Sequence, residues 1–171
     1  MENIMRQQII MATALLWTAA ANATPTTVTL HKIDAQGVGA AIGTVTLTEG
    51  AKGLELTTQL QGLSPGFHGF HVHENPSCAA GEKDGNPVAG LAAGGHYDPD
   101  KTGRHLGPAG HGHKGDLPVL AVAADGSAKT SVISARLTLA DMKGRSLMIH
   151  AESDNYGDKP GGARLACGIV N

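Results

Sequence analysis

The sequence predicts an all-β protein: an eight-stranded antiparallel Greek-key barrel or sandwich interrupted by two long functional loops. Three observations carry this. Short alternating or β-branched runs recur along the chain, turns bearing Gly and Asp separate them, and no stretch sustains a long helical period. Glycine supplies 24 of 171 residues, about twice its usual share. Aromatic residues amount to only 3%, so Val, Ile, Leu and Ala must fill the core.

The elements follow in chain order. Residues 1–23 stand apart from the fold. Arg6 precedes an apolar run from Ile9 to Ala21, and Ala21-Asn22-Ala23 offers a small-x-small cleavage site, the pattern of a cleavable signal peptide. The run is too short to span a bilayer. An exported domain over 24–171 is therefore expected, with no membrane attachment after cleavage; a buried helix and an uncleaved lipid-facing anchor are the alternative readings of the apolar run. Strands are expected at 26–34, 41–49, 53–60 and 67–74. In 54–60, Leu54, Leu56, Thr58 and Leu60 share one face while Glu55, Thr57 and Gln59 share the other. Glu49-Gly50-Ala51-Lys52-Gly53 signals the turn between the second and third strands. Strands at 117–124 and 127–134 flank the turn signal Asp125-Gly126. A short helical turn fits 137–143, and strands at 146–151 and 165–170 complete the set. Residues 75–116 and 152–164 lack the pattern. Loops this long are uncommon in a compact domain and are usually functional.

Charge narrows the function. Lys and Arg number 13 against 15 Asp and Glu, a formal net charge of −2, which argues against a nucleic-acid partner. Export places Cys78 and Cys167 where thiols oxidise, and two cysteines allow one intramolecular pairing; two free buried thiols are the alternative. A bond closing a loop of about 90 residues would add roughly 4–5 kcal/mol of stability in the chain-entropy model. It would also pin the long loop to the last strand.

Nine histidines against two cysteines point to chemistry. In Gly69-Phe70-His71-Val72-His73 the period-two strand puts His71 and His73 on one face, with Cα atoms about 7 Å apart, and Phe70 and Val72 on the other. If Phe70 and Val72 face the core, both histidines face outward. The same alternation in Leu147-Met148-Ile149-His150 sends His150 outward. His68 falls on the core face and reads as a buried, hydrogen-bonded histidine. His31 reads as solvated, and His111 can be read either way. His96, His105, His113 and Asp116 occupy the long loop. Three imidazoles and a carboxylate make a closed tetrahedral shell that suits structural zinc, and a loop that scavenges surface metal is the competing reading. An all-imidazole set on the outer sheet face suits Cu(II).

Six ordered motifs extend this: GFHVHENPSC at 69–78, GGHYDP at 94–99, HLGP at 105–108, HKGDLP at 113–118, IHAESDNYGDKP at 149–160 and GGARLACG at 161–168. Together they resemble the copper/zinc superoxide dismutase family, in its bacterial exported branch, from about Thr26 to Asn171. The resemblance implies a Greek-key barrel that dismutates the superoxide anion to O2 and H2O2, with one copper and one zinc ion per subunit, as a monomer or homodimer. It implies that His71, His73, His96 and His150 hold copper, and that His96, His105, His113 and Asp116 hold zinc, with His96 bridging. It implies that Asp154 joins a copper histidine to a zinc histidine, that Arg164 holds the incoming anion, and that Cys78 pairs with Cys167. Glu82-Lys83-Asp84-Gly85 resembles a charged steering subloop, with Lys83 its candidate residue. Only two glycines separate Lys159-Pro160 from Ala163-Arg164, a shorter spacing than bacterial members lead one to expect.

Three other classes fit parts of the pattern. A metal-buffering protein needs the histidines but neither Arg164 nor Asp154. A zinc hydrolase needs an open zinc position, which His96, His105, His113 and Asp116 would close. A metal-free β-sandwich adhesion module needs none of these residues.

Overall fold

A computed structural model describes residues 24–157 and 161–171; the signal-peptide reading of 1–23 lies outside the described residues. Alternation decides where the core sits. In β1 (Thr26–Asp34) Val28 and Leu30 are buried, in β2 (Gly37–Gly50) Val45 and Leu47, and in β3 (Gly53–Leu60) Leu54, Leu56, Thr58 and Leu60. The face expected for β3 is therefore the buried one. Its one polar member, Thr58, is satisfied: the hydroxyl donates to the carbonyls of Ala128 at 3.0 Å and Thr130 at 3.1 Å.

Between β1 and β2, Asp34 Oδ1 accepts from the backbone N–H groups of Gln36 and Gly37, a side-chain-closed turn. The next turn reverses β2 into β3 with Gly53 at φ +117°. A Cβ there would lie 2.2 Å from the Ser134 carbonyl oxygen, so only glycine fits.

The sequence run 67–74 divides into β4 (Gly66–His68) and β5 (Phe70–His73). At Gly69 the chain changes partners: its N–H donates to the Glu152 carbonyl and its carbonyl accepts from His150. The stretch 75–116 is not structureless, for it contains a hairpin of β6 (Gly81–Lys83) and β7 (Asn86–Val88) and a 3₁₀ turn at Leu91–Ala93. Then come β8 (Leu120–Val122), β9 (Ser131–Ser134), the short helix α1 (Leu139–Met142) with a capping box from Thr138 to Asp141, β10 (Arg145–His150) and β11 (Arg164–Val170). All eight expected strands are present; one divides and the hairpin adds two.

All pairings are antiparallel. Seven strands form one sheet in the order β5-β10-β11-β1-β2-β3-β9, and β4 pairs with β8. The aliphatic core fills one side of the sheet, with Phe70 as its fully buried aromatic. Cys78 and Cys167 form a disulfide with Cα atoms 5.6 Å apart, tying the long loop to β11.

Candidate metal centre

Strand β5 positions the first donors. Phe70 and Val72 point into the core, as alternation requires, so His71 and His73 occupy the opposite face. That face is not solvated: His71 and His73 are fully buried and His150 is 3% exposed. The expectation of outward histidines is corrected here. The loops fold over this side of the sheet, so the imidazoles form a second interior. The long loop docks on β5 through Val72, whose N–H donates to the Gly115 carbonyl and whose carbonyl accepts from Tyr97. Between Ile149 and His150 the pairing of β10 with β11 shifts by a bulge, which brings His150 opposite Arg164. Gly69 keeps the sheet open at this point, since a Cβ would meet Gly161, His71 and His150 at 3.1–3.3 Å.

Two groups of four donors have their ligand atoms within 4.8 Å of one another: His71, His73, His96 and His150, and His71, His96, His105 and Asp116. His113 stands outside the second group, yet its Nδ1 lies 3.6 Å from the same Asp116 Oδ1 that His96 Nδ1 approaches at 3.0 Å and His105 Nδ1 at 2.9 Å. Three imidazoles thus converge on one carboxylate oxygen. His71 is the fourth near neighbour there, but it is shared with the first group.

The tautomers show that a cation fits. His71 and His105 donate from Nε2 to the two oxygens of Asp154, at 2.5 and 2.6 Å. Their Nδ1 atoms therefore carry lone pairs, and both are buried without a hydrogen-bond partner, as is His113 Nδ1. A lone pair at His105 Nδ1 facing a carboxylate oxygen at 2.9 Å is repulsive unless a cation lies between them. His73 and His150 donate from Nδ1 to the carbonyls of Gly94 and Gly162, each at 3.0 Å, which leaves their Nε2 atoms facing each other at 3.4 Å. His96 spends Nδ1 on the Asp116 side, so Nε2 remains for the first group.

Burial keeps the imidazoles of the first cluster, His71, His73, His96 and His150, unprotonated. Burial lowers His73 well below the usual imidazole range, brings His96 to about 4 and His150 to about 3, and lowers His71 against the pull of Asp154. Burial opposes ionisation of Asp116 and Asp154, but hydrogen bonds from His96 on the first, and from His71 and His105 on the second, outweigh it and lower both.

Arg164 opens β11 at the rim. Its guanidinium donates to the Gly90 carbonyl and, at 2.6 Å, to the Gly94 carbonyl. It lines an open cavity of about 340 Å³ together with His73, His96, His113 and His150. A larger cavity, about 560 Å³, lies along β1 and β11 beside the disulfide and brings in only His31 among the histidines.

The remaining histidines and Lys83 lie outside the two donor groups. His68 is buried, with Nδ1 2.6 Å from the His150 carbonyl oxygen and Nε2 2.8 Å from that of Ser64. His31 is partly exposed, 3.1 Å from the Gly39 carbonyl oxygen. His111 is exposed, and Lys83 is exposed at the end of β6. The sequence reading missed Glu74, which accepts from Gly95 N–H at 3.1 Å, and Tyr156, whose N–H donates to Asp154 Oδ1 at 3.0 Å. Both lie inside motifs, Glu74 in GFHVHENPSC and Tyr156 in IHAESDNYGDKP, which is the signal that was available.

Comparison with known proteins agrees with this geometry. The family model for copper/zinc superoxide dismutase (SODC) matches residues 41–170. A superoxide dismutase [Cu-Zn] of Brucella melitensis is 50% identical over 173 residues, covering 98% of this chain and 99% of its own. The solved Cu/Zn superoxide dismutase from Brucella abortus superposes with a TM-score of 0.84 at 52% identity, covering 86% of this chain and 100% of that one. The solution structure of the monomeric copper, zinc superoxide dismutase from Salmonella enterica gives 0.79 at 49%, with the same coverage. This chain belongs to the copper/zinc superoxide dismutase family.

Proposed function

We propose that the chain dismutates superoxide with copper held by His71, His73, His96 and His150, and zinc held by His96, His105, His113 and Asp116, one of each per subunit. The observation that carries the assignment is the pair of donor clusters that share His71 and His96, with His113 Nδ1 3.6 Å from the Asp116 oxygen of the second and Arg164 at the rim. An all-imidazole set suits copper, and three imidazoles with a carboxylate suit structural zinc.

Copper supplies one-electron redox chemistry, by which one superoxide is oxidised to O2 and a second is reduced, with two protons, to H2O2. The remaining work belongs to the chain. Arg164 is held on two carbonyls, so its other N–H groups are aimed and ready for an anion. With a net charge of −2, attraction of the substrate must be local, from Arg164 and from Lys83 on the exposed hairpin. Asp154 fixes the rings of His71 and His105 together. His96 Nε2, when free of the ion, is the atom that would take a proton from solvent and pass it to the departing peroxide. Export to the periplasm, after removal of residues 1–23, completes the reading; the disulfide supports it.

Pulse radiolysis of the mature protein, loaded with one copper and one zinc, tests the reaction. A rapid catalytic decay of superoxide that disappears on copper removal is expected. A fully loaded protein without catalysis would instead be a metal buffer. Arg164→Ala should slow decay by about tenfold with metal content unchanged. The intact mass of the exported protein tests the leader, and a start before residue 20 would refute its cleavage after Ala23.

A further inference from the structure

Resting on the function proposed above, we propose that Glu74 is a positioning residue of the centre, acting through the Gly94–Gly95 peptide on both His73 and Arg164. Glu74 follows His73 directly, and its side chain is exposed. Its Oε1 accepts from Gly95 N–H at 3.1 Å. That N–H and the Gly94 carbonyl are the two ends of one planar amide. At the other end, the Gly94 oxygen accepts from His73 Nδ1 at 3.0 Å and from Arg164 Nη2 at 2.6 Å. One rigid peptide therefore links a carboxylate on its N–H edge to a copper-cluster imidazole and the anion-holding guanidinium on its carbonyl edge.

The chemistry runs in one direction. A carboxylate accepting from the N–H deepens the negative charge on the carbonyl oxygen, because hydrogen bonds in a chain polarise one another. The stronger acceptor holds the Nδ1–H tautomer of His73, raises the basicity of its Nε2, and fixes the direction of Arg164. The backbone is shaped for this approach. Gly94 has φ +76°, and a Cβ there would lie 2.4 Å from Glu74 Oε1. The Glu74 backbone is itself anchored: its N–H donates to the Gly95 carbonyl at 3.1 Å, and its carbonyl accepts from Arg145 Nη1 at 3.2 Å.

Glu74→Ala and Gly95→Pro each delete one end of the same hydrogen bond, and Glu74→Gln keeps an accepting oxygen. Azide titration of the copper- and zinc-loaded proteins reads the anion site, copper EPR reads the ligand field, and NMR of the metal-free proteins reads His73 Nδ1–H. Azide affinity should fall roughly two- to tenfold in each deletion, the magnitude of one net hydrogen bond. The EPR parameters should shift, the His73 proton should move upfield, and Glu74→Gln should restore most of each signal. The two deletions combined should do no more than either alone. Additive losses overturn the inference. So does a lowered melting temperature in Glu74→Ala with azide affinity, EPR and the His73 proton at wild-type values, which is what a merely structural contact would give. If the loaded wild-type protein fails to dismutate superoxide, the proposed function falls, while the metal-free His73 signal still tests Glu74 independently.

Discussion

Asp154→Asn exchanges one carboxylate oxygen for an NH2 at almost constant volume. The native side chain is fully buried and accepts three N–H donors: His71 Nε2 at 2.5 Å on Oδ2, and His105 Nε2 at 2.6 Å and Tyr156 N at 3.0 Å on Oδ1. The amide can offer its oxygen to one histidine only, and its NH2 then faces an N–H of the other. That ring must leave or take the opposite tautomer, which moves its lone pair from Nδ1 to Nε2 and away from the metal cluster. A buried donor left unsatisfied costs about 1–3 kcal/mol, and losing the partner that orients a metal-binding histidine typically costs ten- to a hundredfold in affinity. Chelator competition, run separately for copper and zinc, should show a loss of that order for at least one ion. The native fold should persist by circular dichroism. Both affinities within twofold of wild type would refute the idea that this carboxylate holds the two rings.

Other expectations follow from the same contacts. Reducing the Cys78–Cys167 bond, which spans 89 residues, should lower stability by about 4–5 kcal/mol; a change in denaturant midpoint worth under 1 kcal/mol would contradict this. Phe70→Ala should cost about 3–5 kcal/mol by urea unfolding, because the ring is fully buried in the core on the same strand, β5, that carries His71 on its other face. In the metal-free protein, His96 and His150 titrate near 4 and 3, below the ordinary imidazole value. Their contribution to stability is complete above pH 6.5 and is lost as pH falls toward those values. The slope should reach about 1.4 kcal/mol per pH unit for each histidine. Unfolding curves at pH 7, 6 and 5 measure it, and a flat profile would show that burial leaves the two rings with the pKa they have in the unfolded chain.

Alternation made much of this structure legible. Leu54, Leu56, Thr58 and Leu60 face the core as a period of two requires, and Phe70, His71, Val72 and His73 sort onto two faces by the same rule. The rule stops at the face, however, and says nothing about what covers it. The burial of His71 and His73 depends on the long loop docking through Tyr97 and Gly115, a contact between distant residues with no local signature. The division of strand 67–74 was hidden for a similar reason: Gly69 changes hydrogen-bonding partners without breaking the run of extended residues. The 81–88 hairpin is too short to build a period. Glu74 escaped because a charged residue beside a ligand reads as a solvated one, and its partner, Gly95 N–H, is 21 residues away.

The four residues of β5 are packed on both sides, aliphatic core beneath and imidazoles above. Close-packed interiors yield little to small forces, so His71 and His73 inherit the stiffness of the barrel wall. For a centre that exchanges single electrons, this governs the rearrangement that must accompany each transfer. Imidazoles held this firmly would limit how far the donors rearrange when an ion between them gains or loses an electron.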